Sequence, residues 1–166
     1  MPEAALLTQN FTTMASILQI VAVMIGVSLM LGGLFQFKKY GEMRTQMSSQ
    51  MSVAGPLMMI VAGTLLLSLP TFISTALLAV WGDASPLAYN AGSTGIDALM
   101  PAILVFVRVV GIGSFIRGIV LLSRSGDHQR SQPGMLGKAL IHILAGVLLI
   151  HIVGTMDLLE DILGLA

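Results

Sequence analysis

Four side chains that can carry a positive charge lie within long apolar stretches of this sequence: Arg108, Arg117, His142 and His151. There they could bind an anion, pair with a carboxylate or move a proton. An unpaired charge at the middle of a membrane span costs between about 2.5 and more than 10 kcal/mol. Asp97 would share a helical face with Arg108, but a separation of eleven positions is a rise of about 16 Å along a helix, which is too far for an ion pair. We therefore expect Arg108 to contact another helix, another subunit, water or a lipid phosphate.

Three cations lie closer to the ends of apolar stretches. Arg117 is nine residues beyond Arg108, points to roughly the opposite side of the same helix, and can extend its head group toward the basic end of that helix. Lys38 and Lys39 directly follow the first apolar stretch. Arg108, Arg117, Lys38 and Lys39 are therefore the candidates for contact with phospholipid or with polar groups of neighbouring helices.

The two histidines of the last apolar stretch, His142 and His151, are nine residues apart. They face opposite sides of a helix, so they cannot hold one metal ion together. A lone histidine in a membrane usually forms a hydrogen bond with a neighbouring helix, and a proton relay is the alternative. The sequence contains no cysteine and no motif of a hydrolase, a metalloprotease or a nucleotide-binding loop. These patterns predict no enzymatic activity, no metal site and no cofactor other than a bound phospholipid.

The composition places these residues in a membrane protein. Hydrophobic residues make up 55% of the chain and charged residues only 10%, whereas soluble domains carry about 25% charged residues. Residues 4–37, 45–82 and 139–156 contain no charged side chain, and about 20 apolar residues are enough to cross a bilayer. The net charge is zero and no basic face is present, so direct binding of nucleic acid is not expected.

The apolar runs are continuous, much longer than strands, and rich in Leu, Met and Ala, which predicts an all-α polytopic membrane protein with four transmembrane helices in two tandem helical hairpins. Pro70 should kink the second helix or divide it. The predicted spans cover about 14–37, 53–69 with an extension over 72–81, 96–122 and 139–154. The predicted organisation is an outer N-terminal segment (1–13), a first transmembrane hairpin (14–81), an outer loop (82–96), a second transmembrane hairpin (97–154) and an amphipathic acidic tail (155–166).

Charged residues between the spans predict the orientation of the chain. The loops after the first and third spans contain six basic residues: Lys38, Lys39, Arg44, Arg124, Arg130 and Lys138. The charged residues of the middle loop and of both tails are all acidic. Loops rich in Lys and Arg stay in the cytoplasm, so both basic loops are expected there and both termini outside.

The two hairpins look like copies of each other. The equivalent pairs are Gly26 with Gly111, Gly33 with Gly118, Lys39 with Arg124, Gly41 with Gly126 and, after a shift of two residues, Gly63 with Gly146. Small residues let membrane helices approach closely, so the predicted packing positions are Gly33, Gly41, Gly111, Gly118 and Gly146. The alternative is that two membrane hairpins share glycines and leucines by chance.

Three segments resemble one known family. The third helix contains Arg108-Val-Val-Gly-Ile-Gly-Ser-Phe-Ile-Arg117-Gly118, the first ends in Gly33-Leu-Phe-Gln-Phe-Lys-Lys-Tyr-Gly41, and the fourth contains Ala145-Gly-Val-Leu148. Over about residues 17–154, these segments resemble the IcmC/DotE family of type IVB secretion systems and its IncI conjugation relative TraQ. The resemblance implies a non-enzymatic, multi-pass protein of the bacterial inner membrane with periplasmic termini. Its implied partners are membrane lipid, other subunits of a Dot/Icm-like or conjugative apparatus, and further copies of itself.

Each hairpin, with outer termini and a basic cytoplasmic turn, also resembles the VirB2-type conjugative pilins. That resemblance implies an alternative function, a tandem pilin-like subunit that polymerises into an extracellular pilus with bound phospholipid. A third alternative is a small transporter or channel. In that case Arg108, His142 and His151 would be its intramembrane charges.

Single cysteines in this cysteine-free chain can test the orientation. Ser48→Cys and Ser131→Cys lie in the two basic loops, and Ser85→Cys lies in the middle loop. In intact cells we expect a membrane-impermeant thiol reagent to label only Ser85→Cys, because the basic loops remain in the cytoplasm. Permeabilised cells should show labelling of all three. Labelling of either basic loop in intact cells would reverse the orientation.

Overall fold

The computed structural model describes residues 2–44, 53–82, 99–126 and 133–164, and these ranges are helical apart from short turns. They contain six helices: α1 (Pro2–Arg44), α2 (Ala54–Leu67), α3 (Leu69–Trp81), α4 (Met100–Ser125), α5 (Met135–Ile150) and α6 (Ile152–Leu163). No strand occurs within these ranges. The prediction of an all-α fold is therefore confirmed.

Two of these helices, α1 and α4, are each long and apolar enough to cross a membrane. The pairs α2 with α3 and α5 with α6 meet the same criterion only as bent pairs. The described residues thus provide two spans, or up to four if each bent pair counts as one. The 43 residues of α1 measure about 64 Å at 1.5 Å per residue, about twice the thickness of the hydrocarbon layer.

The helices form two compact units. One unit comprises Met1–Gln19, Pro70–Phe115 and Leu144–Ala166, and the other comprises Ile20–Leu69 and Ile116–Ile143. The core of the first unit includes Leu77, Ile112, Phe115 and Ile150, and that of the second includes Ala22, Ala62, Leu66, Ile119 and Ala139. Each of these side chains is almost completely buried. These side chains come from three helices in the first unit and from four in the second, and their burial gives each unit its own apolar core.

The second helix of the first hairpin is divided at Ser68, where α2 and α3 meet at an angle of 81°. The cause lies two residues later, because Pro70 has no N–H to donate and its ring would clash with the carbonyl group four residues earlier. The chain therefore ends α2 at Leu67 and begins α3 at Leu69, with Pro70 in the first turn. The predicted division near Pro70 is confirmed.

The second helix of the second hairpin is also divided, and here no proline is present. The chain leaves helical geometry at His151, and α5 and α6 meet at 99°. The predicted span over 139–154 is therefore wrong at its end, because α5 stops at Ile150 and α6 begins at Ile152. The hydroxyl group of Thr155 donates to the Leu148 carbonyl oxygen at 2.8 Å. The break would otherwise leave the Leu148 carbonyl oxygen without a hydrogen bond in lipid, and the Thr155 hydroxyl group supplies one.

The two breaks lie at equivalent positions of the predicted repeat. Ser68 and His151 are 83 residues apart, which is the same separation as that of Gly63 and Gly146. A proline accounts for the first break and side-chain hydrogen bonds accompany the second, so local chemistry differs between them. The shared position therefore indicates a common architecture in the two hairpins.

Glycines bring the two helices of the first hairpin together. A Cβ atom added at Gly26 would lie 3.0 Å from the Gly63 carbonyl oxygen, and one added at Gly63 would lie 2.8 Å from the Gly26 carbonyl oxygen. Further along, a Cβ atom at Gly33 would lie 2.7 Å from Cγ1 of Ile60 and 3.1 Å from the Pro56 carbonyl oxygen. Only glycine fits such backbone approaches without displacement of a helix.

The second hairpin repeats these contacts at the equivalent residues. A Cβ atom at Gly111 would lie 3.0 Å from the Gly146 carbonyl oxygen, and one at Gly146 would lie 2.9 Å from the Gly111 carbonyl oxygen. A Cβ atom at Gly118 would lie 2.7 Å from Cγ1 of Ile143 and 2.9 Å from the Ala139 carbonyl oxygen. The four contacts correspond pair by pair to those of the first hairpin. Chance similarity of composition would not reproduce them.

One predicted packing position and two predicted boundaries differ from the structure. Gly41 has no described atom within 4 Å of an added Cβ atom, whereas its counterpart Gly126 lies against the backbone of Ala54. The predicted outer segment 1–13 is part of α1 from Pro2 onward, and Phe11 packs on Phe106 with ring centroids 5.4 Å apart. The acidic tail forms α6 and begins before the predicted boundary at 155, because the break at His151 starts a new helix.

Two glycines of α4 offer a matched test of the packing. Gly111→Ala should lower the free energy of unfolding by about 1–3 kcal/mol, because the added methyl group overlaps α5. Gly113→Ala should raise it by up to about 1 kcal/mol, because alanine favours helix and the position has open space. The measurement is reversible unfolding in mixed detergent and sodium dodecyl sulfate. Equal effects of the two substitutions would contradict the close approach of α4 and α5.

Candidate functional site

Arg108 lies on α4 beside the core face of that helix. Val105, Val109 and Ile112 are buried around it, because they recur at helical spacing and form the core face of α4. The guanidinium group is half-buried, and its Nε atom is fully buried without a hydrogen-bond partner among the described residues. Asp97, which sequence reasoning excluded as a partner within the helix, lies outside the described residues.

A partly open cavity of about 100 Å³, named here the Arg108 cavity, lies beside this side chain. It is lined by Gln19 of α1, by Pro70, Ile73, Ser74 and Leu77 of α3, by Arg108 and Ile112 of α4, and by Ile150 of α5. A water molecule occupies about 30 Å³ in the liquid, so the space exceeds that of one water. The hydroxyl group of Ser74 donates to the Thr71 carbonyl oxygen at 2.9 Å and offers the cavity an acceptor. Arg108 and the amide of Gln19 are its donors.

The other predicted cations do not join this cavity. Lys38, Lys39 and Arg117 are exposed and belong to the second compact unit, whereas Arg108 belongs to the first. The Lys38 ammonium group lies 3.9 Å from a carboxylate oxygen of Glu42 one helical turn away. Exposed pairs of this kind contribute little to stability. The four candidate cations are therefore divided between the two units.

His151 is the residue whose role sequence reasoning missed. The sequence predicts it inside a continuous span over 139–154, but it caps the N-terminus of α6, where its Nδ1 atom accepts the Gly154 N–H at 3.0 Å. In the neutral ring, Nε2 must then carry the proton. The His151 ring stacks on Trp81 with centroids 4.9 Å apart and an angle of 14° between the planes. The equivalence of His151 with Ser68 beside Pro70 is the sequence signal that could have revealed the break.

Two buried donors remain without a partner at this stack. Neither Nε1 of Trp81 nor Nε2 of His151 has a hydrogen-bond partner in the part of the chain that the structure describes. Gly154 allows the arrangement, because a Cβ atom there would collide with the His151 ring and lie 2.7 Å from Cδ1 of Trp81. The stack therefore depends on a glycine one turn into α6.

The second compact unit contains a larger cavity of about 370 Å³. It is lined by Ile25, Leu29, Gln36, Gly55, Met59, Val120, Ser123 and Arg124. Most of these side chains are apolar, and the hydroxyl group of Ser123 donates to the Val120 carbonyl oxygen at 2.8 Å. The cavity was not predicted, since its lining comes from segments far apart in the chain.

No cluster of three or more His, Asp or Glu side chains suited to a metal ion occurs among the described residues. His142 and His151 belong to different compact units. His142 lies within hydrogen-bond distance, 2.8 Å, of the Lys138 carbonyl oxygen through Nδ1. The two histidines therefore have separate local roles.

Comparison with known protein families, with curated proteins and with solved structures found no match to this chain. The geometry of its own residues is therefore the basis for a functional assignment.

Substitution of His151 should loosen α6 and the environment of the single tryptophan. His151→Ala removes a helix cap, which costs about 0.5–2 kcal/mol, and exposes one face of Trp81. We expect faster quenching of Trp81 fluorescence by acrylamide and a lower free energy of unfolding. Gly154→Ala should have the same effect, because its methyl group displaces the His151 ring. His142→Ala is the matched control, and an equal change of fluorescence in that variant would contradict the assignment.

Proposed function

We propose that this protein is a non-enzymatic component of a type IVB secretion or conjugative transfer apparatus in the bacterial inner membrane. One observation carries the proposal. Four of the six glycines in the segments that resemble the IcmC/DotE family, namely Gly33, Gly111, Gly118 and Gly146, are residues at which the helices of each hairpin meet. The shared motif is therefore a packing motif, as a structural membrane subunit requires.

The distribution of charge supports a defined orientation for this component. The exposed Lys38 and Lys39 lie near the end of α1, and the exposed Arg124 lies near the end of α4. Basic ends of this kind face the cytoplasm, so we place both termini in the periplasm.

The exposed surface of α1 supports assembly with other subunits. Only 17% of its most apolar window is buried, compared with 44% for α4. Large apolar side chains such as Phe35 and Met24 are 71% and 66% exposed. Lipid and neighbouring subunits must cover this surface, because water would not do so favourably. We propose further copies of the chain and other apparatus subunits as its partners.

Membrane lipid is the remaining proposed partner. Arg117 is exposed on α4, and Lys38 and Lys39 are exposed on α1. Long basic side chains at the ends of apolar helices reach the head-group layer and attract anionic lipid there. These three residues are therefore proposed contacts for phospholipid head groups.

A small transporter or channel is a second candidate, favoured by the two breaks. Transporters with internal repeats use discontinuous helices at corresponding positions to form a binding site. Ser68 and His151 break the second helix of each hairpin at corresponding positions, with bends of 81° and 99°. The intramembrane charges of such a transporter would include Arg108.

A pilin-like subunit is a third candidate, favoured by the equivalent packing of the two hairpins. Gly26 with Gly63 and Gly111 with Gly146 make the same contact, as two fused copies of one subunit would. The resulting pilus would be extracellular and would contain phospholipid. The bends distinguish this chain from a pair of straight helical hairpins.

Deletion of the gene from its host should abolish transfer of DNA or protein by the apparatus. We expect the parent chain and Gly113→Ala to restore transfer fully. Gly111→Leu should reduce transfer at least tenfold at equal membrane abundance, because leucine separates α4 from α5. Undiminished transfer after deletion would contradict the proposal.

The purified protein distinguishes the three candidates. We expect discrete particles by negative-stain electron microscopy and localisation with inner membranes. Helical filaments of the full chain, also recovered from sheared cells, would establish the pilin instead. Flux of protons or solute across vesicles that contain this protein alone would establish the transporter.

A further inference from the structure

The Arg108 cavity contains a positive charge that its described lining does not neutralise. Among the described residues that line it there is no acidic side chain, and Arg108 is the only charged one. The buried Nε atom of Arg108 lacks a partner in the same part of the chain. A charge of this kind inside a membrane protein requires a counter-charge or strong acceptors. An anion in the cavity would supply both.

We propose that the Arg108 cavity binds one phosphate group. The planar guanidinium group of Arg108 can donate two parallel hydrogen bonds to two oxygens of one phosphate. The amide of Gln19 lines the same cavity and adds a neutral donor. A volume of about 100 Å³ exceeds the roughly 30 Å³ of a water molecule and is of the size of a small oxyanion.

The remaining lining suits a phosphate that is esterified to an apolar group. Ile73 and Leu77 of α3 and Ile150 of α5 face the cavity with aliphatic side chains. Pro70 lies in the first turn of α3, where the helix dipole adds positive potential. Charge recognition on one side and apolar contact on the other is the pattern that an amphiphilic phosphate ester requires.

This binding site is separate from the exposed lipid contacts proposed above, and it does not depend on membership in a transfer apparatus. Phosphate binding is measured on the purified protein, and membership is measured by transfer in the host. Failure of one therefore leaves the other result intact. A lipid head group and free phosphate share the recognised chemistry, so the experiment must separate these two sources.

The thermal unfolding of the detergent-solubilised full chain, followed through the fluorescence of its single tryptophan, tests the proposal. Three additives are compared: didecanoyl phosphatidic acid, didecanoyl glycerol as a control with the same acyl chains, and inorganic phosphate against chloride at equal ionic strength. At a concentration of 100 times Kd, a bound phosphate should raise Tm by roughly 5–10 °C. The glycerol lipid should leave Tm unchanged.

Variants locate the effect. Arg108→Gln should abolish the rise, and Arg108→Lys should weaken binding roughly tenfold, since lysine keeps the charge but loses the planar pair of donors. Lys138→Gln removes an exposed cation from α5 and should retain the full rise. A rise with phosphatidic acid alone assigns the site to a lipid head group, and a rise with inorganic phosphate as well assigns it to phosphate in general.

Three outcomes would overturn the proposal. The first is an unchanged Tm with both phosphate compounds, and the second is an equal rise in Arg108→Gln. The third is that Asp97→Asn lowers Tm as much as Arg108→Gln does, while neither phosphate compound changes the Tm of the parent chain. That result would identify a carboxylate of the chain itself as the partner of Arg108.

Discussion

The close approach of helix backbones at glycine pairs is the constraint on which the rest of this fold depends. At Gly26 with Gly63 and at Gly111 with Gly146, each glycine presents its carbonyl oxygen within about 3 Å of where the other would carry a Cβ atom. Lipid offers little hydrophobic drive for helices to associate, so van der Waals contact across such small residues must supply it. The bulky core residues Phe115 and Leu66 pack where these approaches bring their helices together.

Lipid also requires that backbone polar groups find partners, and the two broken helices meet this requirement differently. At Ser68 the hydroxyl group donates to the Thr64 carbonyl oxygen at 2.9 Å, and the backbone N–H donates to the same oxygen at 3.0 Å. At His151 the imidazole caps α6, and the Thr155 hydroxyl group donates a hydrogen bond to the Leu148 carbonyl oxygen. Equivalent bends thus occur beside a proline in one hairpin and beside hydrogen-bonded histidine and threonine side chains in the other.

The sequence was sufficient to predict what depends on composition and spacing, and insufficient for what depends on three-dimensional contacts. Long uncharged runs predicted membrane helices, Pro70 predicted a break, and glycines that recur after 85 or 83 residues predicted equivalent positions in two hairpins. The break at His151 was missed because no proline marks it, and the Trp81–His151 stack was missed because α3 and α6 are distant in the chain. The Arg108 cavity combines residues from α1, α3, α4 and α5, and no spacing rule predicts that combination. Arg108 itself was identified in advance, because a charge within an apolar run is visible without a structure.

A double-mutant cycle on Gly111 and Gly146 tests the central role of the glycine contacts most directly. If the two backbones touch, the first alanine already separates the helices. The second alanine then lowers the free energy of unfolding by less than it does as a single substitution in the parent chain. We expect the double variant to be more stable than the sum of the single effects predicts, by about 0.5–3 kcal/mol. The pair Gly113 and Gly146 should be additive within about 0.5 kcal/mol. Additive effects at Gly111 and Gly146 would contradict the account, because they would mean that the two residues do not share a contact.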